Sequence, residues 1–178
     1  MWRHLRRGAL AALLLALAGH SAWAIERADE NEIKAAVIYN LLLFVDWPEP
    51  TAATGAFRFC VQDEGALTTA LRAYERRKLQ GRALEIHRIN RGYEELDACG
   101  AVMVEAGNPG LLTRLVVAAR NRPLLVIAEG KGAVERGAMI SLHTDGGRVT
   151  FDINHGAMKR SGLVPSSKIL RLARTLIE

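Results

Sequence analysis

The 178-residue chain has no uninterrupted apolar run near the twenty residues a membrane-spanning helix requires. Cysteine is scarce: Cys60 and Cys99 are the only two, too few for a disulfide-rich scaffold. Histidine is also sparse, and beyond residue 24 only His87, His143 and His155 remain. None of these stands at helical spacing from another His or a Cys, so a metal centre would need ligands gathered from afar; each reads as a surface or strand-end residue. Of Ser141, Ser161, Ser166 and Ser167, none lies in a Gly-x-Ser-x-Gly elbow. The glycines at 130, 132 and 137 miss the dinucleotide spacing and lack a Gly-Lys-Ser/Thr ending, so that segment reads as a connection between strands. No two carboxylates have a placement that recommends them as acid and base. The pattern predicts neither an enzyme nor a cofactor.

What is present is ordinary globular composition, 49% hydrophobic and 24% charged, which argues against disorder and repeats. The net charge is +5 and the isoelectric point about 9.6. Part of that excess sits at the start. Arg3, Arg6 and Arg7 precede an apolar run from Ala9 to Ala18, and Ala22-Trp23-Ala24 offers small residues at the two positions a signal peptidase reads. Residues 1–24 are thus expected to be a cleaved secretory signal, and residues 25–178 one α/β domain. Three of the 24 basic residues leave with the signal, so 21 face 19 acidic ones and the net charge falls to +2. A dispersed, nearly balanced charge is a poor footprint for nucleic acid. Position 25 is Ile, with no Cys nearby to take a lipid.

Both cysteines would enter an oxidising compartment, where an even pair is more often bridged than free. A structural bond closing some 40 residues would stabilise by about 4 kcal/mol on the chain-entropy model. A redox-responsive bond is the alternative, distinguished by strain and exposure.

Along the rest of the chain helix and strand signals alternate. Asp29 with Glu32 resembles a capping box, followed by Ile33, Val37, Leu41 and Phe44 at helical spacing until Trp47-Pro48; Leu42 and Leu43 widen the apolar arc, which predicts burial on two sides, within the fold or against a partner. Phe57 to Val61, Ala83 to Ile89, Gly100 to Val104 and Pro123 to Ala128 read as strands. Helices are expected from Leu67 to Tyr74, ending in the solvated basic run Arg76-Arg77-Lys78, and from Asn108-Pro109 to Ala119. Two alternating runs around Thr144-Asp145-Gly146-Gly147 make an antiparallel hairpin. A short helix from His155 to Ser161 follows. The last is a helix capped by Ser166, with Ile169, Leu172, Ala173 and Leu176 on one face. The fold class expected is a three-layer α/β sandwich with a mostly parallel sheet and a C-terminal antiparallel hairpin.

Several segments carry a family resemblance. Lys34-Ala35-Ala36-Val37-Ile38-Tyr39-Asn40 with Phe44-Val45-Asp46-Trp47-Pro48 resembles the opening of the YfiR family of bacterial periplasmic proteins, and Gly162-Leu163-Val164-Pro165-Ser166-Ser167-Lys168-Ile169-Leu170-Arg171-Leu172-Ala173 its close. Phe59-Cys60-Val61, Cys99, Leu125-Val126-Ile127 and Val149-Thr150-Phe151-Asp152-Ile153-Asn154 look like its intermediate landmarks. The resemblance spans residues 30 to 175. It implies a soluble, dimeric, non-enzymatic periplasmic repressor of an inner-membrane diguanylate cyclase, released by an outer-membrane lipoprotein and so controlling cyclic-di-GMP and biofilm formation. It also implies that Cys60 and Cys99 match a redox-linked disulfide. The chain departs from the family's best-known member in having no second cysteine pair between Gly137 and Asp152.

A secreted domain without a catalytic cluster acts by binding. Trp47, at a helix end, can anchor a contact or cap the core; Asp152, Asn154, Met158, Lys159 and Arg160 mix charge with a flexible apolar side chain, as partner surfaces do. The competing expectation is a small-ligand cleft at the carboxyl ends of the parallel strands.

Overall fold

The computed structural model describes residues 30–48, 55–89, 93–105 and 107–178. The expected signal segment and Asp29 of the expected capping box lie outside them.

Helix α1, residues 30–43, opens the described chain. Its buried side chains are Ala35, Ile38, Leu41 and Leu42, while Ile33 stays half exposed. The core-facing stripe is therefore rotated from the expected Ile33–Val37–Leu41–Phe44 line, because several apolar lines coexist on this helix and packing selects one. The elements that follow are β1 (Val45–Asp46), β2 (Phe57–Val61), α2 (Ala66–Arg72), β3 (Lys78–Leu79), β4 (Arg82–Arg88), a 3₁₀ turn at Tyr93–Ala98, β5 (Ala101–Val104), α3 (Pro109–Ala118) and β6 (Leu125–Glu129). The chain continues with β7 (Ile140–Asp145), β8 (Arg148–Asn154), α4 (His155–Arg160), β9 (Val164–Pro165), α5 (Ser167–Leu172) and β10 (Thr175–Ile177).

Eight strands form one sheet in the order β10-β8-β7-β6-β5-β2-β4-β3. From β4 through β7 neighbours run parallel; β7 and β8 are antiparallel, as are β3 and β4. The α/β expectation holds, with the mostly parallel sheet and the hairpin where the sequence places them. β5 is buried along its whole length, and β6 through Ala128, as all-apolar strands covered on both faces must be. On one face α1 reaches Glu129 through Lys34 and Thr144 through Glu30. The hairpin turns at Gly146 and Gly147, with φ of 56° and 76°, the left-handed pair that a two-residue connection between twisted strands requires. Asn108 opens α3 by accepting from Leu111 N through its side-chain oxygen, as the Asn-Pro start implies.

Three expectations change. Helix α2 stops at Arg72, and Arg77 does not simply face water: its guanidinium lies 4.7 Å from the centre of the Tyr74 ring, which stacks on Tyr39. The last helix stops at Leu172, since Ala173 is extended and Arg174 N donates to Phe151 O, starting β10 parallel to β8. The open edge of β8 offers backbone partners that a continued helix would leave unused. Ser166 occupies the N-cap position of α5, but its hydroxyl makes no capping bond.

Candidate functional site

The bridge between Cys60 and Cys99 is formed, with Cα atoms 5.9 Å apart. Cys60 lies in β2 and Cys99 enters the neighbouring β5; exposures are 0% and 8%. Burial sets this pair apart from the exposed bonds typical of redox sensors.

Trp47 is half-buried. Its indole N–H donates to Gly100 O at 3.0 Å, and its ring meets Phe57 edge-on at 4.9 Å. It therefore caps the start of β5 while keeping one flank open. The residues around the hairpin end divide sharply. Asp152 is 1% exposed and takes a hydrogen bond of 2.9 Å from Arg174. Asn154 caps α4 by accepting from Ala157 N at 2.8 Å and donates to Val134 O at 3.1 Å. Met158 is fully buried. These three side chains thus face inward, because the β8–α4 junction turns them onto the loop and helices that cover the sheet; only Lys159 and Arg160 of the expected surface reach solvent.

The chain that follows those two returns toward Trp47. Two residues after Arg160 comes Gly162, which packs near the Pro48 ring. β9 then pairs antiparallel with β1, Val164 opposite Asp46 and Pro165 opposite Val45. Ser166 N donates to Phe44 O, and Lys168 Nζ stands 4.7 Å from the centre of the Phe44 ring. Around this junction two large apolar side chains are left open, Leu43 at 40% and Val164 at 60%. The sequence reading named Leu43 only as widening the arc of the first helix, and left Val164 in the connection between the last two helices. The signal was there for Leu43, in the excess width of the α1 arc.

His143, expected at the surface or a strand end, is only 5% exposed. Burial holds its pKa below the ordinary imidazole value; Asp152 pulls the other way, while Arg174 and Lys131 reinforce the lowering and Asp145 opposes it. Ser141, His143 and Asp152 share one face of the hairpin, but they do not form a nucleophilic triad. Ser141 Oγ donates to Gly130 O, and neither His143 nitrogen has a hydrogen-bond partner among the described residues. The other histidines have separate carboxylate neighbours, His87 with Glu95 and His155 with Glu178.

The carboxyl ends of the parallel strands hold Asp63, Glu105 and Glu129. Burial raises the pKa of Glu105, with Glu129 and Asp63 adding to the rise and Thr68 opposing it. Lys34 occupies this end of the sheet, 2.7 Å from Glu129 and 2.6 Å from Glu30. Burial works against its charge, yet hydrogen bonds to the two carboxylates hold its pKa above the usual lysine value. Two spaces among the described residues there are about 90 and 320 Å³. Among the described residues no group of three or more His, Cys, Asp or Glu is placed to hold a metal, and no helix is long and apolar enough to cross a membrane.

A family model described as YfiR/HmsC-like matches residues 31–174. The crystal structure of a conserved domain protein from Vibrio cholerae O1 biovar El Tor str. N16961 is similar in fold, with a TM-score of 0.52 at 18% sequence identity. The match covers 82% of this chain and 60% of that one, so this chain spans less than two thirds of its length.

Proposed function

Because the chain belongs to the YfiR/HmsC-like family, the match running over residues 31–174, we propose that it is a periplasmic binding regulator that represses an inner-membrane diguanylate cyclase through the cyclase's periplasmic part. Cleavage of the signal after Ala24 delivers it to that compartment, as residues 25–178 in one domain. Sequestration by an outer-membrane lipoprotein and a homodimeric state belong to the same reading, both taken from the family. The observation that carries the binding role is the junction of α1, β1 and β9. There, open Leu43 and Val164 flank half-buried Trp47, and Lys159 and Arg160 are exposed shortly before Val164 in the sequence. Apolar side chains rimmed by cations fit a protein contact better than a solvated surface does.

Deleting the gene should raise cyclic-di-GMP, and restoring the chain should lower it. Val164→Asp and Lys159→Glu alter exposed side chains, so the proteins should melt like wild type yet repress poorly, each contact weakening by roughly tenfold or more. Unchanged cyclic-di-GMP on deletion would reject the regulator; full repression by a folded double variant would reject this face.

A further inference from the structure

Helices α3 and α4 and the loop after β6 border an open-sided cavity of about 520 Å³, within the range that admits small organic ligands. Its interior is apolar, formed by Val116, Ala119, Val126, Met139 and Ala157. Three arginines contribute to the same lining: Arg120 after α3, Arg136 in the loop and Arg160 at the end of α4. Among the described residues none of the three has a side-chain hydrogen bond or an ion pair, whereas Arg72 is tied to Glu64, Arg122 to Asp97 and Arg174 to Asp152. Glu178, whose backbone lies near Arg160, pairs through its carboxylate with His155 and Lys159 instead. Glu135 is the one acid among the lining residues. The lining therefore carries a net charge of +2 around an apolar floor.

The walls are held in place. Ser161 Oγ donates to Ala119 O at 3.0 Å, fastening the end of α4 to the end of α3. Gly137, at φ 102°, lies so close to α3 that an added Cβ would stand 2.7 Å from Val116 Cγ1. Only glycine lets the loop close here. The glycine-rich segment that fails as a phosphate loop thus serves to bring Glu135 and Arg136 to the cavity. An apolar hollow attracts a hydrophobic body, and guanidinium forks pair with carboxylate geometry.

We propose that this cavity binds a small organic acid with an apolar body, its carboxylate toward the arginines. The cavity is formed by elements other than the α1–β1–β9 junction, sharing only Arg160 with the proposed partner face, and it goes beyond the repressor reading. The probe is 2-naphthoate, followed by calorimetry and amide chemical shifts on the purified protein, with 2-naphthalenemethanol and acetate as controls. Saturable one-to-one binding of 2-naphthoate is expected, with shifts centred on Arg120, Gly137 and Arg160. The neutral alcohol and the Arg120→Gln/Arg160→Gln double variant should each bind about tenfold or more weakly, and Glu135→Gln severalfold more tightly. Acetate alone should bind too weakly to saturate. Absence of saturation by about 10 mM, equal affinity for the alcohol, unchanged affinity in the double variant, or shifts centred elsewhere would each overturn the proposal. The measurement needs no cyclase, so its failure leaves the repressor reading standing, and a failed repression assay leaves the site standing.

Discussion

Reducing the Cys60–Cys99 bond should cost about 4 kcal/mol of folding stability, and reductant should not reach it in the folded protein. The bond spans 39 positions of sequence. Cross-linking a loop of that length removes roughly 13 cal/mol/K from the unfolded ensemble on the chain-entropy model, or about 4 kcal/mol at room temperature. With a urea m-value of about 2 kcal/mol/M, the midpoint should fall by about 2 M. The slope should also rise, because the uncrosslinked chain expands further when unfolded. The comparison is reduced against oxidised wild type, since Cys→Ala at two buried positions would add a cavity cost of its own. Access is the second half. Cys60 is wholly buried in β2 and Cys99 nearly so, so attack by an external thiolate has to wait for opening of the β2–β5 region. Thiol trapping with mass spectrometry, at several concentrations of dithiothreitol without denaturant, reads the rate. It should level off at the opening rate instead of rising in proportion to reductant. A stability difference under about 1 kcal/mol would refute the loop-closure reasoning. Native-state reduction as fast as in urea would refute the buried, structural assignment and favour a redox sensor.

Two further outcomes follow from buried polar groups. Asn154→Ala removes the cap on Ala157 N and one of the two donors to Val134 O, which keeps its bond from Gly137 N, so urea unfolding should show a loss of about 1–2 kcal/mol, that of a buried cap. His143 is held neutral by burial, so its folded pKa lies below its unfolded one; the unfolded chain then binds the extra proton first, and stability should fall as pH drops below about 6.5. That step in a Tm-against-pH series should shrink in His143→Gln, and a series flat from pH 7 to 5 would contradict it.

How much of this was readable beforehand depends on whether a signal was local. The hairpin was legible because Asp-Gly-Gly between alternating runs demands left-handed backbone at the turn. β5 and β6 were legible because a strand covered on both faces has to be apolar throughout. Asn108-Pro109 announced α3 through capping chemistry that involves only its own first turn. The end of α5 was not legible: Ile169, Leu172 and Leu176 keep helical spacing, and only the free edge of β8 makes an extended course better for Thr175–Ile177. Exposure in the segment from Asp152 to Arg160 was half legible. Lys159 and Arg160 are exposed as expected, but Asp152, Asn154 and Met158 carry the same polarity signals while facing inward.

The sequence by itself determined the α/β alternation, the hairpin, the even cysteine pair and the resemblance to a family. Each is written in neighbouring residues or in short spacings, where backbone geometry and side-chain chemistry act locally. Tertiary structure alone decided which line of α1 enters the core, that Cys60 and Cys99 are adjacent and buried, and that Leu43 and Val164 remain open. It also decided that Arg120, Arg136 and Arg160 line one cavity from three separate elements. Burial and convergence depend on contacts between residues far apart in the chain, and no local pattern encodes them.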